Sequence, residues 1–292
     1  MDEVFDVTSL PDEVALILAV VLVVVPAVVT WKDVTGPVLR ARVERFARRT
    51  GLEVTPDNGN LVIRYLATTR RWRTCGVAIA YLVILVPALA RGSVKVDVLV
   101  LAIGWFAGAL VAEWRVAGMA DGPGRRAASL APRSRRTHLG TAARWVAAFT
   151  TGYAAGLALL ALSAVLLGRA PAADLAACLP LIVIGGAVRL AQQRTLLRPQ
   201  PLGPPDVTAA DDAVRTRSMA VLTGCQVALV LLFCPALAGP ALTVLPGTLS
   251  AWPAVVVLVL AVSGPLIGVW LAFARGPAQR SERREDRLVT LT

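Results

Sequence analysis

From Ser218 to Ala274 the chain carries no Asp, Glu, Lys or Arg. A helix needs ~20 apolar residues to cross ~30 Å of hydrocarbon, so this stretch is long enough for two crossings of a bilayer. Gly239, Pro240, Pro246, Gly247 and Pro253 place the break between them. Composition agrees: 56% of the residues are hydrophobic, 17% are charged, and the mean hydropathy is +0.66. A soluble domain has too little interior to cover that much apolar surface.

The same criterion along the whole chain predicts an all-α, polytopic transmembrane bundle of seven helices, at 14–31, 74–90, 96–114, 145–168, 172–193, 218–238 and 252–274. Between them lie an acidic N-terminus (1–13), an amphipathic segment (32–73), an Arg-rich loop (115–144), a loop at 194–217 and a basic tail (275–292). The fifth span is the weakest, because Arg189 interrupts it and must snorkel to the interface for the helix to continue.

Charge sets the expected orientation. Of the 30 basic residues, 27 fall in 32–73, 115–144, 189–217 and the tail; the opposite side has only Arg91, Lys95 and Arg169. Lys and Arg in short loops stay on the cytoplasmic side, so the N-terminus is expected outside and the C-terminus inside, in the cell's inner (plasma) membrane. The first 13 residues carry Asp2, Glu3, Asp6, Asp12 and Glu13 with no basic residue, unlike the positive start of a signal peptide. Trp31, Trp72, Trp114 and Trp145 fall at predicted inner helix ends and Trp252 at an outer one, as interfacial rings should; only Trp105 is central.

The segment 32–73 is the one extra-membrane region large enough to hold structure, and it reads as a small cytoplasmic helical hairpin. Pro37 suits a first turn, Val38, Leu39, Val43, Phe46 and Ala47 recur at helical spacing, and Gly51 offers a stop. After Pro56-Asp57-Asn58-Gly59-Asn60, a stripe of Leu61, Val62, Tyr65, Leu66, Thr69 and Trp72 runs into the second span. A β-hairpin of 52–55 with 61–66 about the Asn-Gly pair is the competing arrangement. Arg64, Arg70, Arg71 and Arg73 on this segment are candidate contacts to anionic lipid headgroups on the cytoplasmic face or to another membrane or cytosolic subunit.

An internal repeat is also visible. Gly76–Ala90 resembles Gly224–Ala238, each ending Pro-Ala-Leu-Ala, and the third span aligns with the seventh so that Gly104 and Gly108 match Gly264 and Gly268. The fourth and fifth spans are candidates for a third copy. Four-residue spacing in Gly104/Gly108, Gly152/Gly156 and Gly264/Gly268 puts each pair on one helix face, where neighbouring backbones can approach closely. The prolines Pro26, Pro87, Pro180, Pro235 and Pro265 mark expected kinks.

No catalytic, cofactor or metal constellation emerges. His138 is the one histidine, the two lysines are Lys32 and Lys95, and Cys75, Cys178, Cys225 and Cys234 lack ligand spacing and read as packing residues. Basic loops are absorbed by topology, which leaves no role for nucleic acid. Glu113, at the inner end of the third span, is expected to form an interfacial ion pair with Arg115 and Arg144. Gln226, Thr150, Thr151 and Ser163 are polar groups at helix centres, available for interhelical hydrogen bonds.

The runs YLATTRRWR (Tyr65 to Arg73), GALVAEWR (Gly108 to Arg115) and RRAASLAPR (Arg125 to Arg133) resemble segments of uncharacterised multi-pass membrane proteins of high-GC actinobacteria. This resemblance, over about residues 60 to 150, implies a location and no activity. The expected function is therefore a non-enzymatic scaffold or accessory subunit of a membrane complex. The alternative is the membrane component of a transporter for a small apolar or amphiphilic solute.

Overall fold

The computed structural model describes residues 5–6, 12–91, 93–94, 97–119, 126–127, 135–201, 204–244 and 251–273. Nearly all of the acidic N-terminus up to residue 11, residues 120–125 and 128–134 of the Arg-rich loop, and the tail 275–292 lie outside the described residues. The chain is all-helical, and among the described residues six helices are long and apolar enough to cross a membrane. Strand pairing among the described residues is confined to two-residue bridges, Phe5–Asp6 with Ser93–Val94 and Arg126–Ala127 with Gln200–Pro201.

The helices are α1 (Asp12–Thr35), α2 (Arg40–Thr50), α3 (Pro56–Ala90), α4 (Val98–Gly118), the single turn α5 (Arg135–His138), α6 (Thr141–Leu166), α7 (Cys178–Leu197, entered by a 3-10 turn at Ala172–Ala177), α8 (Pro205–Phe233), α9 (Pro235–Leu242) and α10 (Ala251–Phe273). The fifth predicted span is thus continuous, and Arg189 stays exposed on it. Helix α3 carries the expected stripe of 61–72 into the second span without a break, but it begins at Pro56 and so takes in 56–60, expected as a turn; α8 begins at Pro205, inside what the sequence reads as the loop 194–217.

Local chemistry explains the early start of α3. Thr55 is the N-cap: its hydroxyl accepts from the Asn58 amide while the Asn58 side chain accepts from the Thr55 amide, and Pro56 occupies the first turn. The Asn-Gly pair therefore lies in a helix and the β-hairpin does not form. Asn58 is fully buried and also donates to the Glu53 carbonyl at 2.8 Å, and the Thr55 hydroxyl donates to Asp206 in the first turn of α8. Gly51, at φ +65°, closes α2 in the left-handed conformation, as its position predicts.

Helix α8 is the axis of the bundle; Ala210 to Leu231 is mostly buried and touches α3, α4, α6, α7 and α10. Its polar N-terminal half is held by a buried clasp. Asp211, fully buried, accepts from Arg215 Nε at 2.7 Å and from Arg198, whose other nitrogen reaches the Val116 carbonyl. Arg215 also donates to the Thr195 and Pro199 carbonyls at 3.1 Å. One carboxylate thus ties the ends of α4 and α7 to α8, and cationic donors satisfy the orphan carbonyls of those helix ends.

Two helix pairs make the closest contacts, and both do so through glycine. A Cβ on Gly76 would stand 2.2 Å from the Gly104 carbonyl and 2.9 Å from Gly108 Cα; one on Gly224 would stand 2.3 Å from the Gly268 carbonyl and 3.2 Å from Ala272. In lipid, where apolar burial between helices gains little, such backbone proximity supplies the dispersion contact. The pairs α3–α4 and α8–α10 share this contact, but not in the register expected from the sequence, which set Gly104 and Gly108 on Gly264 and Gly268. Gly268 plays the part of Gly104, and Ala272 that of Gly108; Gly264 instead meets Ala228 and Leu231 one turn away. Gly152 and Gly156 of α6 are different: they are exposed, with open space where a Cβ would go, so this pair joins no helices. Gly185 and Gly186 of α7 are equally open, so α6 and α7 do not repeat the glycine contact.

Helix α1 packs on α3. Pro26 has no N–H to give the Leu22 carbonyl four residues earlier, and the Tyr81 hydroxyl of α3 donates to that carbonyl at 2.8 Å. Elsewhere the bundle is knit by Gln226 to Thr151 (3.0 Å) and Gln192 to Thr223 (3.4 Å), bonds that fix α6 and α7 to α8. Leu82, Val86, Phe149, Ile182, Leu258 and Leu266 are among the many large apolar side chains left exposed. Water would penalise such a surface; hydrocarbon does not.

Candidate functional site

At the end of the bundle that carries α2, the chain turns 64° between α1 and α2. The turn is held from α3: Arg70 donates to the Gly36 carbonyl and, at 3.0 Å, to that of Pro37, and Arg71 Nε donates to the Val34 carbonyl at 2.8 Å. Both arginines thus bind the C-terminal end of α1, where a helix presents unpaired carbonyls and partial negative charge. Sequence reading offers them to lipid or a partner; the structure turns both Nη groups of Arg70 and the Nε of Arg71 onto backbone inside the chain.

The consequence is a cavity of about 430 Å³ walled by α1, α2, α3, α4, α8 and α10. Six arginines line it: Arg42, Arg45 and Arg49 from α2, Arg70 and Arg73 from α3, and Arg217 from α8. Among the described residues, Asp33 is its one acidic lining residue. Aromatic rings set the guanidinium planes, with Arg73 over Trp105 at 5.0 Å and Arg49 and Arg217 over Phe273 at 4.7 and 4.5 Å. Stacking occupies a planar face and leaves the N–H edges directed elsewhere. The Nε atoms of Arg70 and Arg73 are buried without a hydrogen-bond partner. Among the described residues, none of the six lies within ion-pair distance of a carboxylate.

Depth distinguishes this cavity from a surface patch. Trp105 is eight residues from Asp97, the N-cap of α4, which at ~1.5 Å per residue puts it about 12 Å along a helix of about 30 Å. The site therefore sinks toward the middle of α4. Sequence reading treats the helix centres as free of ionisable groups; Arg73 reaches one of them through Trp105.

Glu113 lies beside this site and does not make the expected interfacial ion pair. It is fully buried; Oε1 accepts from the Tyr65 hydroxyl at 3.1 Å, and Arg73 and Arg217 are within electrostatic reach. Ser218 Oγ is also close, yet neither it nor Glu113 Oε2 completes a hydrogen bond. Arg115 instead stacks on Trp72 at 5.1 Å, and Arg144 donates to Thr141. The reason is rotation: 113 and 115 stand on different faces of α4, one buried and one exposed.

Of the other residues marked in the sequence, Arg64 is exposed at a small neighbouring recess with Arg198 and Val116. His138 meets the Thr216 hydroxyl at 3.1 Å, and the four cysteines are free, Cys225 and Cys234 in the core. Thr150 and Ser163 bond only to carbonyls of their own helix. Sequence reading missed Arg42, Arg45, Arg49 and Arg217 as site residues. The signal for three of them was available: Arg42, Arg45, Phe46 and Arg49 share one face of α2, a cationic stripe around the buried Phe46.

Fold and site together describe a multi-pass helical membrane protein with an arginine-lined cavity let into one end of its bundle. No protein-family model matches the chain, and no curated protein or solved structure matches it either.

Proposed function

We propose that this is a seven-span protein of the inner (plasma) membrane, N-terminus outside and C-terminus in the cytosol, serving as a non-enzymatic scaffold or accessory subunit of a membrane complex. The seventh span is α1, apolar from Val14 to Trp31 and tied to α3 through Tyr81. The charge asymmetry supports the orientation, since 27 of the 30 basic residues belong to the α2 side. The resemblance to actinobacterial multi-pass proteins fits the same location.

The observation that carries the functional reading is the continuity of α3 and α8. Each runs from an extra-membrane collar into its apolar span with no joint, and the collar is fastened by Thr55, Asn58 and the Asp211 clasp. A partner pressing on such a collar moves the spans with it, as an accessory subunit requires. Cross-linking in native membranes, purification through a tag on the full chain and mass spectrometry test this. A stoichiometric subunit whose yield falls when exposed Arg48 of α2 becomes Glu is expected; a chain recovered alone refutes the reading. Orientation is read separately. In a cysteine-free background, Gly168→Cys should label with an impermeant maleimide in intact cells and Asn60→Cys only after permeabilisation.

One observation favours the second reading, a transporter component for an amphiphilic solute: the cavity reaches the level of Trp105, and ionisable groups at such depth commonly mark a path. Flux of a labelled anionic amphiphile in reconstituted vesicles, lost in Arg73→Gln, would select it.

A further inference from the structure

We propose that the arginine cavity is a binding site for one phosphate-class oxyanion, presented as a lipid headgroup or as a soluble phosphate ester. The inference needs only the cavity and goes beyond the scaffold reading.

Charge gives the first argument. Among the described residues, six arginines line one space with Asp33 as the lone lining acid, Glu113 beside it, and no ion pair among the six. Two cations ~8 Å apart repel by roughly 2 kcal/mol at an effective dielectric of ~20, and Arg217 is coupled to the like charges of both Arg73 and Arg49. On an open surface the side chains would swing apart into water. Here they are held: Arg70 by the Gly36 and Pro37 carbonyls, Arg45 by the Ala41 carbonyl, Arg73 by Trp105, Arg49 and Arg217 by Phe273. A chain that holds like charges around one cavity has prepared them for something negative.

Chemistry narrows what that is. A carboxylate has two oxygens and is satisfied by one arginine fork, whereas a phosphate monoester carries up to two charges on three acceptor oxygens and takes several forks at once. The unpartnered buried Nε atoms of Arg70 and Arg73 are donors still unspent. The floor is apolar and aromatic, with Phe46, Leu66, Trp105, Ala220 and Phe273, so the carbon part of an ester has a surface to rest on. A volume of about 430 Å³ falls within the ~300–1,000 Å³ of small-molecule sites. Basic pockets between transmembrane helices are, on general grounds, where anionic headgroups are held.

The test uses the full chain in an uncharged detergent. Its thermal unfolding and its binding heat are followed on adding inorganic phosphate, or short-chain phosphatidic acid, each against sodium chloride at equal ionic strength. Saturable one-to-one stabilisation is expected. Response to inorganic phosphate alone identifies a soluble source; response to the lipid but not to phosphate or a neutral short-chain lipid identifies a headgroup. Arg73→Gln should weaken binding at least tenfold, and so should Arg49→Gln, whose exposed position guards against misfolding; Arg40→Gln, outside the cavity, should not. No effect of either probe beyond chloride overturns the proposal, as does equal binding by wild type and both cavity variants. The scaffold reading can fail in its own cross-linking experiment without touching this result.

Discussion

The two glycine contacts make a paired prediction. Replacing Gly76 by Ala puts a Cβ 2.2 Å from the Gly104 carbonyl oxygen, and restoring an ordinary contact of 3.4 Å needs α3 and α4 to separate by about 1.2 Å. The obstructing atom is backbone, so no rotamer change relieves it. Overpacking of this kind costs about 1–3 kcal/mol, and the rigid neighbour argues for the upper end; the helical preference of Ala over Gly returns about 1. The net loss is about 2 kcal/mol, roughly a thirtyfold change in the folded-to-unfolded ratio. Gly224→Ala meets the Gly268 carbonyl at 2.3 Å and should lose a similar amount. Gly152→Ala has open space and should be neutral or stabilising by up to about 1 kcal/mol. Unfolding in mixed micelles of increasing denaturing-detergent fraction, followed by tryptophan fluorescence, gives all three. Gly76→Ala and Gly224→Ala as stable as Gly152→Ala would refute the packing argument, and a loss at only one site would refute the equivalence of the hairpins.

Tyr81→Phe should cost about 1 kcal/mol, because it strands the Leu22 carbonyl in an apolar setting. In a Pro26→Ala background the restored amide serves that carbonyl, so the cost of Tyr81→Phe should largely vanish; a double-mutant cycle of detergent unfolding without coupling would exclude the compensation. Asp211→Ala leaves Arg215 buried without its carboxylate and should cost about 3–5 kcal/mol, enough to abolish a folded peak in fluorescence-detected size exclusion. Thr55→Val removes the α3 cap and should cost about 1 kcal/mol, seen as faster hydrogen exchange in 56–60 with the spans unaffected.

The spans were legible because the requirement for ~20 uncharged residues is severe and independent of neighbours. So was the helical stripe over 61–72 that runs into the second span, though not its start at Thr55 and Pro56. The continuation of α8 was not: residues 205–217 contain charges that a hydropathy criterion assigns to a loop, yet Asp211 and Arg215 are buried there, clasped to each other, to Arg198 and to the Thr195 and Pro199 carbonyls. The arginine site was hidden for a related reason. A charge count fixes on which side a guanidinium lies, not whether it faces water or a cavity, and the Arg70 fork is aimed by α1 carbonyls that no local pattern announces. Glycine spacing likewise shows that two residues share a face, but not which face. Gly104/Gly108 turns inward and Gly152/Gly156 outward from the same four-residue interval. The four-residue error in the repeat arose because alanine, leucine and valine runs align almost equally well at adjacent turns; only the contacts of Gly268 decide the register.

That register also shows where the two hairpins part. With Gly76 on Gly224 and Gly104 on Gly268, Arg73 corresponds to Val221 and Trp105 to Val269, while Arg217 corresponds to Thr69. Thus the stacked pair Arg73 and Trp105 has an apolar pair as its counterpart, although the glycine contact a few residues away is kept. The close contact extends one turn toward the collar, where Gly108 meets the Trp72 carbonyl and Arg73 Cα, so the backbone there is held and the difference lies in the side chains that point away from it. The cavity lies beside these turns, between one hairpin that supplies Arg70 and Arg73 and another that supplies Arg217 and Phe273. The share of its charge that the hairpins supply, Arg70, Arg73 and Arg217, therefore marks a departure from the repeat, and α2 adds Arg42, Arg45 and Arg49. A site assembled this way needs both hairpins: Phe106 of the first packs within 3.3 Å of where a Gly268 side chain would stand in the second, and a shift there moves the Phe273 end of α10 that orients Arg49 and Arg217.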